Sequence, residues 1–398
     1  MKNSAPSLGL YIHIPFCKSK CAYCDFYSLP HREEEMDAYC AALSAHLIET
    51  APRCASYAVD TVFFGGGTPS YLGPKRLGAL LKTVKKHYAL ARHAEVTLEA
   101  NPDSAKDVKS LKVLRKAGFN RISLGVQSTD DALLRAIGRI HTFAEAKEAV
   151  ASARKAGFSN ISCDLIFGLP GQTMAHWQKT LDDILSLDVE HLSCYGLMLE
   201  EGTPLYEKRA SLTIPDDELQ ADMYLFTVEH LARHGYKQYE ISNFAKEGFP
   251  SRHNLRYWQL KEYAGFGPGA HSDLGGVRYA YEKDFAAYLR GELNLSESEV
   301  IDPRERDGEY LRLSLRITAG VSPAEYEKRF CRPFAPLEKM LLAFEKEGLA
   351  AKEADFWHLT PRGFLLSNAV IAELLDVQQR EKTRRANRTD FTVFRQET

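Results

Sequence analysis

The chain has 398 residues, of which 44% are hydrophobic and 26% charged, with 51 Lys and Arg against 53 Asp and Glu. This length predicts two or three domains with a sizeable core, and the charge balance argues against a generally basic nucleic-acid-binding protein. No stretch approaches the roughly 20 apolar residues of a membrane span, and Met1–Leu8 lacks a signal-peptide core. We therefore expect a cytoplasmic protein whose eight cysteines serve metal binding or catalysis rather than disulfides.

Six short runs rich in Ile, Val, Phe and Tyr alternate with amphipathic helical patterns through the first half of the chain. The predicted strands are Leu10–Ile14, Thr61–Phe64, Val96–Leu98, Arg121–Gly125, Ile161–Phe167 and Leu192–Met198. Because six β–α units follow one another, we expect a parallel sheet, either a barrel or an open doubly wound sheet. A weak repeat, Arg115–Phe119 and Arg154–Phe158, fits a barrel more easily.

The second half of the chain is predicted to be mostly helical. A helix over Pro215–His234 precedes a Gly-rich and aromatic-rich stretch, and three helices, a hairpin within Leu349–Leu359 and a last helix then resemble a winged-helix module. The predicted domains are a barrel domain over 1–235, a connecting segment over 236–300, a C-terminal helical domain over 301–377 and a flexible polar tail over 378–398.

Three cysteines give the strongest chemical signal in the sequence. Cys17, Cys21 and Cys24 follow the first predicted strand in a C-x3-C-x2-C pattern, so their thiolates can surround one metal centre. A closed zinc site needs four protein ligands, and neither Asp25 nor Phe26 is a convincing fourth. An iron–sulfur cluster is commonly held by four cysteines, so three would leave one iron open to another molecule. Zinc stays a competitor on spacing alone.

The cysteine motif resembles that of the radical S-adenosylmethionine (SAM) superfamily. The segment Tyr11–Cys17 further resembles the oxygen-independent coproporphyrinogen III oxidase group, and the similarity runs from about Leu8 to Leu375. The resemblance implies an α/β fold, an incomplete (β/α)6 TIM-like barrel with a mostly helical, winged-helix-like C-terminal module. It also implies a [4Fe–4S] cluster on the three cysteines, with SAM bound to the open iron.

The resemblance assigns further residues to SAM, most of them at the ends of predicted strands. The implied positions are Tyr11, Tyr23, Gly66, Gly67, Thr68, Glu99, Gln127, Arg139 and Asp164. The glycine segment would contact the methionine end of SAM, because glycines let backbone N–H groups approach a ligand closely. Carboxylate and amide oxygens would accept hydrogen bonds from ribose hydroxyls, and a guanidinium would pair with a carboxylate. Each residue alone is more typical of a solvated loop or of packing.

A second motif separates two branches of this group. The segment Arg252-His253-Asn254-Leu-Arg-Tyr257-Trp258 resembles the heme-binding H-N-x-x-Y-W pattern of the HemW branch, which consists of heme chaperones. Imidazole is a common axial ligand of heme iron, although spacing alone favours a surface histidine at His253. The oxidases carry a further cysteine where this chain has Phe26, and an N-terminal extension before the first strand.

The resemblance thus implies a heme chaperone that binds heme and passes it to acceptor hemoproteins. It also implies that SAM can be cleaved to a 5′-deoxyadenosyl radical, so enzymatic activity is left open. The alternative is an oxygen-independent coproporphyrinogen III oxidase, and a third class is a radical SAM enzyme that modifies RNA. We expect no nucleic-acid partner and no integral membrane segment, so that any membrane association is transient.

Overall fold

Six parallel strands carry the first half of the chain. They are β1 (Ser7–Ile14), β2 (Ala58–Gly66), β3 (Leu90–Ala100), β4 (Arg121–Gln127), β5 (Ile161–Phe167) and β6 (His191–Gly196). Each strand pairs in parallel with the next along the chain, so their order in the sheet follows the sequence. The predicted incomplete (β/α)6 barrel is confirmed.

Helices follow these strands and cover the sheet with their apolar faces. They are α1 (Met36–Thr50), α2 (Pro74–His87), α3 (Val108–Ala117), α4 (Asp131–Ala136), α5 (Phe143–Ala156), α6 (Met174–Leu185), α7 (Pro204–Glu207) and α8 (Asp217–Arg233). The predicted repeat ends α3 and α5 at Gly118 and Gly157, which both have positive φ. Each glycine leads into a buried phenylalanine, Phe119 or Phe158.

The segment predicted as a connector, residues 236–300, adds strands to both edges of this sheet. Its elements are β7 (Asn243–Ala245), α9 (Arg252–Trp258), β8 (Tyr263–Phe266), β9 (His271–Leu274), β10 (Val277–Tyr281), α10 (Phe285–Leu289) and β11 (Leu295–Val300). β8 pairs in parallel with β1, β9 to β11 continue antiparallel from it, and β7 pairs antiparallel with β6. Aromatic residues, which favour strands, occur in β7, β8 and β10.

The structure, a computed structural model, describes residues 5–394 and the side chains of residues 5–384. Its first compact unit comprises residues up to Lys237, Ser242–Arg256 and Lys261–Val300. The second comprises Gln238–Ile241, Tyr257–Leu260 and the chain from Ile301 onward. Across residues 5–394, no helix combines the length and the apolar character that a membrane crossing requires.

The second unit contains the predicted helices and hairpin. Its elements are α11 (Asp307–Ser314), α12 (Pro323–Phe330), α13 (Ala335–Lys346), β12 (Ala350–Glu353), β13 (Phe356–Leu359), α14 (Pro361–Leu365) and α15 (Ser367–Phe394). Trp357 of the hairpin is fully buried. The Thr360 hydroxyl caps α14, accepting from the Gly363 N–H at 3.1 Å.

The polar tail differs in secondary structure from the prediction. α15 continues through residues 378–394, and only residues 395–398 of that tail lie outside the described residues. The tail is rich in Arg, Lys, Glu and Gln, which are good helix formers, and Arg380 pairs with Asp376 one turn earlier at 2.5 Å. Polarity alone therefore did not distinguish a polar helix from a flexible tail.

Candidate functional site

One cavity at the carboxyl ends of the barrel strands gathers most of the predicted site residues. It encloses about 700 Å³, including its opening to solvent. The predicted residues on its wall are Cys17, Cys21, Tyr23, Cys24, Gly66, Gly67, Thr68, Glu99, Gln127, Arg139 and Asp164. In parallel barrels this face carries the functional loops, so the predicted location of the site agrees with the fold.

The three motif cysteines lie on the loop that follows β1. Cys17 is buried and Cys21 and Cys24 are half-buried, and all three are free thiols. The Cys24 N–H donates to the Cys21 carbonyl at 3.2 Å, which folds the loop back on itself. Burial raises the pKa of the Cys17 and Cys24 thiols, so a nearby cation is needed to hold them as thiolates at neutral pH.

This donor set fits an iron–sulfur cluster. In a four-iron cluster each thiolate binds a different iron, so three separate thiols around one cavity are what the cluster requires. The site therefore agrees with the predicted cluster.

The glycine segment after β2 differs from the prediction in how it uses its backbone. The Gly66 N–H donates to Glu99 Oε2 at 3.1 Å, the Gly67 N–H to the Ile14 carbonyl at 2.8 Å and the Thr68 N–H to the Phe16 carbonyl at 2.8 Å. These three N–H groups are therefore used within the protein, and the contact of this segment with SAM stays a prediction. A Cβ at Gly67 would lie 2.8 Å from the Phe16 carbonyl oxygen, so this glycine lets the segment pack against the cysteine loop.

Arg139 connects the cysteine loop to the barrel. Its guanidinium donates to Cys21 Sγ at 3.3 Å, Asn101 Oδ1 at 2.8 Å and the Gly125 carbonyl at 2.5 Å. Its buried Nε has no hydrogen-bond partner among the described residues. An unpartnered buried guanidinium N–H beside the cysteines fits a carboxylate such as that of SAM. Gly138, which precedes Arg139, lets the chain pass close to the cysteine loop, since an added Cβ there would lie 3.1 Å from the Ala22 nitrogen.

Two carboxyl groups, Glu99 and Asp164, stand on neighbouring parts of the cavity wall. Burial, together with the charge of Asp164, raises the pKa of Glu99 to about 8. Burial also raises the pKa of Asp164, while hydrogen bonds from serine hydroxyls oppose that shift. Polar groups of this kind can hold the hydroxyl and ammonium groups of SAM.

Gln127 and Tyr23 complete the wall. Gln127 ends β4 with φ of 68°, an uncommon backbone conformation for a residue other than glycine that marks many functional sites. Tyr23 packs against the buried cluster formed by Leu133, Ile137, Ile166 and Leu169. Its ring therefore has firm support and offers a flat surface, as an adenine contact requires.

Tyr11 does not belong to the residues that line the cavity, although it was predicted to contact SAM. Its hydroxyl donates to His13 Nδ1 at 3.0 Å, and His13 Nε2 donates in turn to the Tyr27 carbonyl at 2.9 Å. The ring also stacks on Phe63 at a centroid distance of 6.3 Å. Tyr11 precedes the carboxyl end of β1, and its contact with SAM stays a prediction.

His253, the predicted heme ligand, is a buried residue and not a surface histidine. It is 1% exposed and lies near Thr61, whose Oγ1 is 2.9 Å from His253 Nδ1. Its ring stacks on Phe63 at 5.1 Å, and the Glu95 carboxylate accepts from the backbone N–H groups of Arg252 and His253 at 3.0 Å each. These partners precede the carboxyl ends of β2 and β3, so this conformation does not present His253 to heme at the cavity.

A second cavity adjoins the first and shares Tyr23, Cys24, Glu99, Gln127 and Asp164 with it. It encloses about 1110 Å³ and has a largely apolar wall that includes Ile166, Leu197 and Met198. Phe26 and Met198 at its rim are 70% and 71% exposed. The site therefore consists of a polar cavity beside the cysteines and a larger, mostly apolar cavity next to it.

Sequence reasoning missed four residues that shape this site. Asn101 and Gly125 contact Arg139, and Ser123 and Ser193 donate to Asp164. Alternation along the strands puts Ser123 on the face of Gly125 and Gln127, which is a signal present in the sequence. Ser193 has no such signal, because its role depends on the pairing of β5 with β6.

Comparisons with known proteins agree with this geometry. Residues 11–184 match the radical SAM superfamily, and residues 301–366 match the HemN C-terminal domain. The chain is 38% identical to heme chaperone HemW of Bacillus subtilis, covering 92% of this chain and 98% of that one. It is 37% identical to heme chaperone HemW of Lactococcus lactis, covering 92% and 96%.

A solved structure supports the fold. Coproporphyrinogen III oxidase (HemN) from Escherichia coli superposes with a TM-score of 0.80 at 24% identity, covering 93% of this chain and 90% of that one. The predicted [4Fe–4S] cluster and SAM are confirmed as the cofactors of the superfamily. The cysteine motif, the barrel and the likeness over nearly the whole chain lead to one conclusion: this chain belongs to the HemW family of heme chaperones within the radical SAM superfamily.

Proposed function

We propose that this protein is a heme chaperone that binds heme, passes it to acceptor hemoproteins and carries a [4Fe–4S] cluster and SAM. The observation that carries the proposal is the likeness to HemW proteins over 92% of the chain. The cavity that combines three cysteines with polar residues at strand ends agrees with it. We further propose that the protein works in the cytoplasm and meets its acceptors there.

In this proposal the cavity residues hold the two cofactors. Cys17, Cys21 and Cys24 bind the cluster, and Arg139 presents its unpartnered Nε to the carboxylate of SAM. Asp164 accepts from the ribose, and Tyr23 supports the adenine. When bound, the cluster and SAM supply reductive cleavage of SAM. The apolar wall of the adjoining cavity keeps water away from that chemistry.

We also propose that His253 ligates heme in a second conformation of α9. In the conformation described, Thr61, Phe63 and Glu95 hold the first turn of this helix, and Arg256 pairs with Asp60. The heme-bound form requires α9 to leave these partners, since the imidazole is otherwise buried. Heme affinity is then reduced by the fraction of molecules in which α9 stays docked.

Two assays test this proposal against the oxidase alternative. The protein loaded with heme should transfer it to an apo-hemoprotein acceptor faster than to apomyoglobin, which captures only the heme that is released spontaneously. The reconstituted protein should leave coproporphyrinogen III unchanged under anaerobic conditions with SAM and a reductant. Equal rates to both acceptors would contradict the chaperone function, and formation of protoporphyrinogen IX would establish the oxidase.

A further inference from the structure

Three serine hydroxyls converge on one carboxylate in the cavity wall. Ser193 Oγ donates to Asp164 Oδ1 at 2.7 Å, Ser123 Oγ lies 3.1 Å from the same oxygen, and Ser162 Oγ lies 3.4 Å from it. The three serines are buried, with 2%, 6% and 0% of their surfaces exposed. A carboxylate that receives several short donors is held in one orientation and favoured in its charged form.

The two carboxylate oxygens of Asp164 differ in the number of hydrogen bonds that they accept. Oδ1 is within reach of all three hydroxyls, whereas Oδ2 has only the longer contact of Ser123, at 3.2 Å. An ionised carboxylate has about four sites for accepting hydrogen bonds, two on each oxygen. Oδ1 is therefore saturated, and Oδ2 keeps accepting capacity on a side chain that lines both cavities.

Ser193 is the principal donor of the three. Its distance is the shortest, and β6 places it directly beside Asp164 of β5 in the parallel register. Ser162 has a competing partner, His191 Nδ1 at 2.7 Å, and the single proton of Ser123 is shared between two oxygens. Ser193 therefore determines the orientation of Asp164 more than either neighbour does.

Glu99, the other carboxyl group of the cavity, lacks such support. It accepts from one backbone group, the Gly66 N–H at 3.1 Å. Burial and the charge of Asp164 raise the pKa of Glu99 to about 8. Burial also raises the pKa of Asp164, whereas the hydrogen bonds from the serines and the positive charge of Arg121 oppose that shift. Asp164 is therefore the acid with more surrounding groups that stabilise a carboxylate.

We propose that Ser193 is a positioning residue for SAM, which holds the Asp164 carboxyl group turned so that Oδ2 accepts a hydrogen bond from a ribose hydroxyl. This inference rests on the proposed role of Asp164 as a SAM contact. Ser193 itself does not touch SAM in this arrangement. It acts through Asp164, and its removal should resemble a partial loss of that carboxylate.

Equilibrium SAM binding to the anaerobically reconstituted protein tests the proposal across pH. Ser193→Ala should weaken binding about tenfold at neutral pH, the usual effect of losing one hydrogen bond to a charged group. The loss should grow as pH falls, because Asp164 then takes up a proton at a higher pH than in the wild type. Ser193→Thr keeps the hydroxyl and should restore binding, whereas Ser152→Ala, a buried serine of α5, should leave it unchanged.

Binding of SAM analogues that lack one ribose hydroxyl identifies the hydroxyl group that Asp164 contacts. Wild type should bind S-adenosylhomocysteine better than its 2′-deoxy or its 3′-deoxy form, and Ser193→Ala should lose that preference. A variant that weakens all three ligands equally at every pH would overturn the proposal, as would one that binds SAM normally. Heme titration separates this outcome from the function itself, because Ser193→Ala should bind heme as the wild type does.

Discussion

At the residue scale, the position of the Arg139 guanidinium depends on Gly125. The Gly125 carbonyl accepts from its guanidinium at 2.5 Å, and an added Cβ at Gly125 would lie 3.3 Å from Arg139 Nη2 and 2.9 Å from Gln127 Nε2. The side chains of Arg139 and Gln127 both line the cavity. A Cβ at Gly125 would therefore displace both polar groups.

We therefore expect Gly125→Ala to weaken SAM binding about tenfold while the barrel stays folded, because a misplaced charged hydrogen bond costs about 1.5 kcal/mol. The measurement is equilibrium SAM binding together with thermal denaturation. Gly78→Ala in α2 is the matched control, since the atom nearest to the added Cβ would be the Cβ of Ala117, 3.8 Å away. Unchanged SAM affinity in Gly125→Ala would refute the placement of Arg139 and Gln127.

Glu99 provides a second prediction at this scale. With a pKa of about 8, it is mostly protonated at neutral pH in the ligand-free protein. SAM carries a sulfonium and an ammonium group, and a nearby cation lowers the pKa of a carboxyl group. SAM binding should therefore release a proton from Glu99 near neutral pH.

Isothermal titration calorimetry of SAM binding, in buffers of different ionisation enthalpy, measures the release of that proton. The apparent binding enthalpy should vary with the buffer in wild type and should not vary in Glu99→Gln. The same enthalpy in every buffer for wild type would show that Glu99 does not face the cations of SAM. A buffer dependence that persists in Glu99→Gln would assign the proton to another group.

At the scale of elements, α9 determines how heme reaches the proposed ligand. The Thr61 hydroxyl of β2 is 2.9 Å from His253 Nδ1, and the Glu95 carboxylate of β3 caps the first turn of the helix. Loss of one of these contacts shifts the balance toward the undocked helix without touching the imidazole. Docking and heme binding then compete for the same residue.

Thr61→Val should accordingly increase heme affinity about fivefold, because losing the hydroxyl contact with His253 disfavours the docked state by about 1 kcal/mol. Soret titration measures the affinity. Thr97→Val is the control, since Thr97 is equally buried in the neighbouring strand and its hydroxyl has no partner among the described residues. Weaker heme binding in Thr61→Val would contradict the competition between docking and ligation.

At the scale of the whole molecule, much of the barrel could be predicted because its signal is local. Alternating β-rich runs and amphipathic helices are visible within short windows, and so is the cysteine motif. The burial of His253 could not be predicted, since it depends on the distant strands that carry Thr61 and Glu95. The use of the Gly66 and Gly67 N–H groups also depends on partners elsewhere in the chain.

Buried histidines give the whole molecule a pH dependence. Burial lowers the pKa of His13 and His141 to about 4 and that of His46 and His253 to about 3. Stability from these neutral rings is complete above their unfolded pKa of about 6.5 and is lost as pH falls below it. Glu99 acts in the opposite direction, because its raised pKa favours folding as pH falls below about 8.

The four histidines outweigh this carboxyl group, so the free energy of unfolding should fall on acidification. Each ring contributes up to about 2 kcal/mol of that loss at a pH of about 5. Denaturant unfolding across pH measures it, and His46→Phe should make the dependence shallower by about one proton. A stability that rises steadily toward acid pH would show that these rings are already charged in the folded protein.

This member of the HemW family should bind heme at one defined site. Anaerobic heme titration of the full chain, followed by Soret absorption and carried out in parallel on His253→Ala, measures that binding. We expect saturation near one heme per chain in wild type, and weaker or spectrally altered binding in the variant. Identical binding by both proteins would contradict His253 as the ligand, and the absence of specific heme binding by wild type would contradict the proposed function.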